Sequence, residues 1–217
     1  MMKKVSKLLI CVGLSSLSFS LNAQPEVLAY EQLDGLLSTI ETMTADVSQL
    51  IVESDGGVLE RSDVQMKLKR PYGFYWETIS PFPELIVTDG DLLWNYQPDL
   101  EQVVIEPWDA SRSELAAQLL SGNTDNLIEE YTLTRSNQDE SEYLEFVLVP
   151  RNADSIYRRI TLTFNRQLLD MIHVESDNGQ RTVWQFSGIA LNNELPDQLF
   201  VFQPPAGIEI IQNTYVQ

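Results

Sequence analysis

Side chains able to carry out covalent chemistry are scarce in this sequence. Of its 217 residues, one is a histidine, His173, and one is a cysteine, Cys11. His173 lies in an ordinary strand pattern beside Ile172 and Val174, so we expect a histidine at the surface or at a sheet edge. Ser-His-Asp and Cys-His arrangements and the usual zinc sites therefore lack their components. The sequence predicts no catalytic residue, no metal site and no cofactor.

Acidic side chains are abundant, but their spacing singles out no acid–base pair. The chain has 32 Asp and Glu against 14 Lys and Arg, which gives a formal net charge of −18 at pH 7. A surface of this charge repels nucleic acids and anionic membranes. No glycine-rich loop that could cradle a phosphate is present. We therefore expect no enzymatic activity and no nucleic-acid partner.

One basic residue, Arg70, stands where a charge is costly. In a strand, Val64, Met66, Leu68 and Arg70 share one face, and the polar residues between them point the other way. A guanidinium stays charged and is expensive to bury without a partner. We expect Arg70 to donate to the open carbonyl ends of nearby helices or loops. The alternative is that it extends to a surface carboxylate at the strand end.

The first residues have the pattern of a secretory signal peptide. Residues 1–4 (MMKK) precede an apolar run, residues 8–17, that is too short to span a bilayer. Cleavage after Ala23 leaves 194 of the 217 residues, with 11 basic and 32 acidic side chains and no cysteine. Cys11 lies inside the apolar run after Ile10, so a lipid anchor is not expected. We predict a signal peptide at residues 1–23 and a single domain at residues 24–217, outside the cytoplasm.

Two helical regions are predicted. Apolar residues recur at steps of three and four between Pro25 and Met43, which indicates an amphipathic helix that starts at Pro25. A second region lies between Trp108 and Tyr131, where a short helix is predicted at residues 124–130. Another helix precedes that short helix in the same region. It is marked by the capping-box pair Ser111 and Glu114, the apolar stripe Leu115, Leu119 and Leu120, and the closing Gly122.

Almost all of the remaining sequence has the pattern of short β-strands separated by polar turns. Two strand pieces meet at Pro71 within residues 63–76, and Asp89-Gly90 is a strong hairpin signal. Further strands are predicted at residues 47–53, 85–87, 92–94, 101–106, 131–135, 143–149, 156–164, 168–174, 181–186 and 199–203. This succession indicates an antiparallel meander, either a barrel or a strongly curved sheet.

Aromatic residues concentrate on the early strands. Phe74 and Trp76 share one face, and Trp94 and Tyr96 share one face of the next hairpin. The pattern by itself favours an ordinary hydrophobic core. The other interpretation is a cavity for an apolar ligand, because two helices would cover a sheet of this size only partly.

Short motifs with a particular order and spacing extend over essentially the whole expected mature chain. They are Leu37 through Met43-x-Ala45-x-Val47-x-Gln49, Arg70-Pro71-x-x-Phe74-x-Trp76, Ile86-Val87-Thr88-Asp89-Gly90, Leu93-Trp94-x-Tyr96, Pro98-Asp99-Leu100-Glu101-Gln102-Val103, and Phe200-x-Phe202-x-Pro204-Pro205-x-Gly207. In this arrangement the chain resembles the LolA family of outer-membrane lipoprotein carrier proteins. The resemblance implies a mainly β fold, in which an unclosed, strongly curved antiparallel sheet (a half-barrel) is covered by α-helices that form a lid over a hydrophobic cavity.

The resemblance also implies which residues form the site. Arg70, in the Arg-Pro motif, would hold the empty lid shut through hydrogen bonds. The lid helix would present Leu115, Leu119 and Leu120. The cavity wall would consist of Leu37, Ile40, Met43, Val47, Val64, Met66, Leu68, Phe74 and Trp76.

The function implied by the resemblance is that of a periplasmic chaperone, monomeric and not an enzyme. It would accept acylated lipoproteins from the inner-membrane ABC transporter LolCDE and deliver them to the outer-membrane receptor LolB. The alternatives are a sensor of the same fold for lipidated or misfolded envelope proteins, and an unrecognised hydrolase. Some carriers continue past the Pro-Pro-x-Gly turn with an extra strand and helix, whereas only Ile208 to Gln217 follow it here.

Overall fold

The computed structural model describes residues 24–108, 127–136 and 142–213. These residues form a helix α1 (Gln24–Ser38), a short helix α2 (Leu127–Glu130), and 3-10 turns at Pro98–Leu100 and Asp197–Phe200. In the described ranges no helix has the length and hydrophobicity needed to cross a membrane. The strands are β1 (Thr42–Val52), β2 (Val58–Lys69), β3 (Gly73–Ser80), β4 (Glu84–Thr88), β5 (Leu92–Gln97), β6 (Gln102–Pro107), β7 (Tyr131–Arg135), β8 (Tyr143–Pro150), β9 (Tyr157–Asn165), β10 (Leu168–Ser176), β11 (Arg181–Leu191) and β12 (Glu209–Gln212).

These strands form one sheet of 12 strands in the order β12-β6-β5-β4-β3-β2-β1-β11-β10-β9-β8-β7. The first and last strands of this order are not paired with each other, so the sheet is unclosed. Neighbouring strands are antiparallel, with the exception of β12, which runs parallel to β6. The mainly β, unclosed fold expected from the resemblance is confirmed.

The sheet is strongly curved, as the core that one of its faces shares with α1 shows. Strands lie about 4.8 Å apart, so 12 flat strands would span on the order of 50 Å. Yet Leu33 and Leu37 of α1 belong to one buried cluster with residues of β1–β4 and β7–β11. The ring centroids of Trp76 on β3 and Trp184 on β11 are 6.0 Å apart, although β2 and β1 lie between these strands. This face is therefore concave.

A second, smaller core covers the convex face of β3–β6. It consists of Val87, Trp94 and Val103 together with Phe200, which comes from the segment between β11 and β12. The Lys69 ammonium group holds this segment, because it donates to the Leu195 carbonyl at 2.7 Å and to an Asp197 carboxylate oxygen at 2.5 Å. This part of the chain after β11 therefore packs on the convex face of the sheet and not on the concave face.

The helix predicted between Pro25 and Met43 is too long. It ends at Ser38, and Met43 lies in β1. The Asn192 amide replaces the next helical hydrogen bonds: its oxygen accepts from the Glu41 backbone N–H at 2.8 Å, and its nitrogen donates to the Thr39 carbonyl at 2.9 Å. Met43 is still buried, because it points to the concave face. Met43 follows Ile40 by three residues, which is a helical spacing, although Met43 lies in a strand. This coincidence explains why the predicted helix was too long.

The prediction of a strand at residues 199–203 is wrong, and β12 was not predicted. A 3-10 turn occupies Asp197–Phe200, and the next paired strand begins at Glu209. Proline has no backbone N–H to donate to a sheet ladder. Pro196, Pro204 and Pro205 flank the predicted strand on both sides, which explains why the segment packs through Phe200 instead of pairing.

The β4–β5 hairpin needs a glycine at residue 90. Gly90 has φ +100°, and an added Cβ would lie 2.4 Å from the Tyr72 Cβ. We expect Gly90→Ala to lower the free energy of unfolding by about 2 kcal/mol or more in urea denaturation. Gly35→Ala, on α1 with no atom within 4 Å of the added Cβ, should instead raise it by up to about 1 kcal/mol. A Gly90→Ala variant as stable as the wild type would contradict this account of the turn.

Candidate functional site

The residues predicted to form the cavity wall all lie in the large core on the concave face. Each is at most 8% exposed and belongs to the cluster that includes α1: Leu37, Ile40, Met43, Val47, Val64, Met66, Leu68, Phe74 and Trp76. Leu37 comes from α1 itself, and Ala29 and Leu33 of the same helix share this buried cluster with the strand residues. Trp76 also borders an open cavity. Contact of these side chains with a ligand stays a prediction.

A cavity of about 540 Å³ lies at one end of the concave face. It lies beside the end of β1, the start of β2 and the β3–β4 loop, at the opposite end of β2 from Arg70. Its volume is in the range of about 300–1,000 Å³ that is usual for ligand sites. Its apolar lining is Ile51, Trp76, Phe82, Pro83, Ile86, Leu100 and Trp184, and its polar lining is Gln49, Glu60, Thr78, Glu84, Gln97, Asp99 and Thr182.

Two tryptophans from different strands, Trp76 on β3 and Trp184 on β11, border the cavity on the concave face. Trp76 and Trp184 meet edge to face with their planes at 74°. The Trp184 indole N–H donates to the Gln49 side-chain oxygen at 2.6 Å, which fixes the ring orientation. Phe74 stacks on Trp76 from the side of the core, at 6.1 Å. The cavity wall is therefore a preformed aromatic surface that continues the buried core.

Large apolar side chains are exposed at the cavity rim. Phe82, in the β3–β4 loop, is 70% exposed, and Leu100, in the β5–β6 turn, is 63% exposed. Both also line the cavity. Exposed apolar groups that continue into a concave apolar site are typical of binding sites for apolar ligands.

Among the described residues, the cavity lining carries three carboxylates and no basic residue: Glu60, Glu84 and Asp99. Glu60 accepts a hydrogen bond from the hydroxyl of Ser62, which is 1% exposed. Glu84 accepts from the Gln97 amide at 3.2 Å. Hydrogen bonds from the protein therefore hold two of the three negative charges at the cavity.

Arg70 lies at the other end of β2 and contacts the end of α1. A terminal guanidinium nitrogen donates to the Leu37 carbonyl at 2.6 Å, and the Arg70 backbone N–H donates to the Glu41 carbonyl at 2.8 Å. The sequence predicted a helix or loop carbonyl as acceptor, and the structure places the carbonyl of Leu37, near the C-terminus of α1, in this position. Whether the contact acts as a latch remains a prediction.

The environment of Arg70 penalises its charge. Burial lowers the pKa of the guanidinium, and the nearby Asp34 carboxylate opposes that shift. The group nevertheless stays protonated in proteins. Its Nε is buried and has no hydrogen-bond partner among the described residues. The guanidinium charge is therefore held at the end of α1 at a cost in desolvation free energy. A movement of α1 would change this cost.

The other end of α1 is also held by polar contacts. The Glu26 carboxylate forms an ion pair with Arg151, in the β8–β9 connection, and accepts from the Leu133 backbone N–H at 3.3 Å. Gln32 accepts from Arg135 at 3.1 Å. Polar contacts therefore hold α1 at both ends, while its buried side chains belong to the core on the concave face.

The predicted lid helix falls outside the described residues, together with Leu115, Leu119 and Leu120. Of the short helix predicted at residues 124–130, Leu127–Glu130 is described and is helical. Leu127 is buried in the main cluster. The described residues bring together no group of three or more His, Cys, Asp or Glu side chains that could hold a metal ion.

Sequence reasoning missed much of the cavity. Gln49 and Ile51 continue the alternation of Val47 along β1, and this signal could have placed them on the inward face. Trp184 alternates with Phe186 in the same way on β11. No sequence signal indicates that Trp184 meets Trp76, because the contact depends on the pairing of β1 with β11.

Sequence comparison relates the chain to one family over most of its length. The family described as "Outer membrane lipoprotein carrier protein LolA" matches residues 38–203. A protein of Chromohalobacter salexigens named outer-membrane lipoprotein carrier protein is 34% identical over 198 residues, 91% of this chain and 93% of that protein. A protein of Hahella chejuensis with the same name is 33% identical over 209 residues, 96% of this chain and 98% of that protein.

A solved structure with similar architecture is the crystal structure of MucB. It superposes with a TM-score of 0.51 at 13% sequence identity, over 85% of this chain and 66% of that chain. At this level of identity the similarity concerns the fold alone.

Proposed function

The chain belongs to the LolA family of outer-membrane lipoprotein carrier proteins, and on this basis we propose that it carries lipoproteins across the periplasm with their acyl chains held in its concave face. Residues 1–23 serve as the signal peptide that directs it there, and residues 24–217 form a single carrier domain. The protein acts as a monomeric chaperone and not as an enzyme.

The observation that carries this proposal is the cavity of about 540 Å³ beside Trp76 and Trp184. Exposing an acyl chain to water costs about 0.8 kcal/mol per methylene, so a lipoprotein with three long chains faces a barrier on the order of 30 kcal/mol. An apolar, concave surface removes much of this penalty. Withdrawal of α1 from the buried residues of the concave face would extend the cavity along the sheet.

We infer that the cargo is received from a LolCDE-type inner-membrane ABC transporter and passed to a LolB-type outer-membrane receptor. The contact of Arg70 with the Leu37 carbonyl favours the closed, empty form. Closure therefore lowers the apparent affinity for cargo by the free energy needed to open α1. A carrier with this penalty holds lipoprotein long enough to cross the periplasm and still releases it to a receptor that binds more tightly.

Mass spectrometry of the protein purified from its native periplasm tests the carrier function. We expect acylated lipoproteins to co-purify with the wild type. Thr182→Trp, which fills part of the cavity beside Trp184, should reduce the recovered cargo several-fold. Wild-type protein that is recovered empty under several gentle conditions would contradict carriage.

The matched control is Arg181→Trp. Arg181 is the neighbouring residue on β11 and is exposed, and successive side chains of a strand point to opposite faces. This variant adds the same indole outside the cavity and should retain its cargo. Equal loss of cargo in both variants would mean that the effect arises from β11 itself and not from the cavity.

A further inference from the structure

The cavity combines an apolar wall with negatively charged side chains. Trp76, Trp184 and Phe82 provide aromatic surface for an acyl chain, whereas Glu60, Glu84 and Asp99 provide the charged groups. No Lys, Arg or His lines the cavity among the described residues. An apolar cavity with this charge is suited to a ligand whose acyl chain has an uncharged or cationic head.

We propose that Glu60 and Glu84 are specificity-determining residues that exclude acyl ligands with an anionic head group. This inference rests on the proposed carrier function and adds the chemical class of head group that the site accepts. A lipid that enters with its chain against Trp76 brings its head near the two carboxylates. A phosphate placed there meets like charges without a compensating cation from the described lining.

The two glutamates are held in place, which is what a filter by charge requires. Glu60 is fixed by the buried Ser62 hydroxyl. Glu84 accepts from Gln97, and the Gln97 side-chain oxygen in turn accepts from Gln102 at 2.5 Å. Carboxylates tethered in this way cannot rotate freely away from an entering anion, so the repulsion persists in the bound state.

The advantage to a carrier follows from the composition of the membranes that it visits. Phospholipids with a phosphate head outnumber any cargo, and their acyl chains suit the same aromatic wall. A lipoprotein presents its chains through amide, thioether and ester linkages, which are uncharged. Discrimination by head-group charge therefore separates cargo from the anionic lipids of the membrane without reference to the protein sequence of the cargo.

The experiment uses the full mature chain and probes with the same acyl chain but different heads. Monopalmitoylglycerol is the uncharged probe, palmitoyl lysophosphatidylglycerol the anionic one and palmitoylcholine the cationic one. Each displaces a fluorescent uncharged acyl probe below its micelle concentration. For the wild type we expect the anionic probe to bind about tenfold or more weakly than the uncharged one, the size expected from one or two partly screened charges.

The deciding readout is the ratio of the anionic to the uncharged dissociation constant. In Glu60→Gln/Glu84→Gln, whose amides keep the shape of the side chains, this ratio should fall to about one. The control Glu129→Gln/Glu194→Gln changes the net charge equally at two exposed residues outside the cavity and should keep the wild-type ratio.

The outcomes separate this inference from the function on which it rests. If the wild type binds all three probes equally, or if the ratio survives in Glu60→Gln/Glu84→Gln, the filter is wrong and the carrier function stands. If the ratio falls equally in the control, the total charge and not the cavity discriminates, and the assignment to Glu60 and Glu84 is wrong. If no acyl probe binds, the proposed carrier function itself fails.

Discussion

Arg70→Leu is expected to bind lipoprotein more tightly than the wild type and to release it poorly to the outer-membrane receptor. The substitution removes the charged donor to the Leu37 carbonyl and places an apolar side chain against the buried cluster. A hydrogen bond from a charged group contributes about 1.5–3 kcal/mol, so its loss from the closed form should raise the apparent affinity for cargo about tenfold or more. Onward transfer should fall by a similar factor or stop.

Acceptance and release are measured separately for this variant. Acceptance is the amount of lipoprotein taken from inner-membrane vesicles, and release is the fraction passed to purified receptor. Arg61→Leu is the control, because Arg61 is an exposed arginine on β2 and its loss leaves the α1 contact intact. A variant that fails to accept cargo but releases normally what it holds would overturn the latch and return Arg70 to a structural role.

Leu68→Glu is expected to be the most destabilising of the substitutions considered. Leu68 is 3% exposed in the main cluster, and its register partners are Met43 on β1 and Phe74 on β3. A carboxylate placed there lies among apolar side chains, and the basic residue that follows on the same face, Arg70, already donates to the Leu37 carbonyl. Burial of an unpaired charge belongs to the few mechanisms that cost more than about 4 kcal/mol. We expect the empty protein to lose its cooperative urea transition or to shift it strongly.

Gln65→Glu provides the comparison for this prediction. Gln65 is exposed on the opposite face of the same strand, so the same carboxylate should change the free energy of unfolding by no more than about 0.5 kcal/mol. If Leu68→Glu instead keeps near-wild-type stability and only loses acyl binding, the concave face around Leu68 is a hollow in the empty protein. That outcome would favour an open cavity over the packed core that α1 forms here.

Strand alternation made the two faces of the sheet predictable. Val64, Met66 and Leu68 are inward and buried, as the pattern indicates, and Gln65 between them is exposed. The same alternation placed Arg70 in line with apolar residues and predicted a carbonyl acceptor. These features depend on neighbours in the chain and on the direction of successive side chains, so they are readable without knowledge of the fold.

The sequence was less informative wherever a distant residue decides the local structure. The end of α1 depends on Asn192, whose side chain bonds backbone groups about 150 positions earlier. The segment around Phe200 has an apolar pattern that indicates a strand, yet Lys69 and the convex core hold it as a turn. Local preference is weak compared with such tertiary contacts, which is why these two predictions failed.

The family, the β-rich fold and the unusual position of Arg70 follow from motifs and alternation along the chain. The position of the cavity follows from tertiary structure alone. It depends on the pairing of β1 with β11, on the curvature that brings Trp184 to Trp76, and on the turns that place Phe82 and Leu100 at one rim. Hydrophobic alternation specifies which face of a strand is buried, but it contains no information on which distant strand will be its neighbour. The order and curvature of the sheet are therefore what convert an inward-facing pattern into a site.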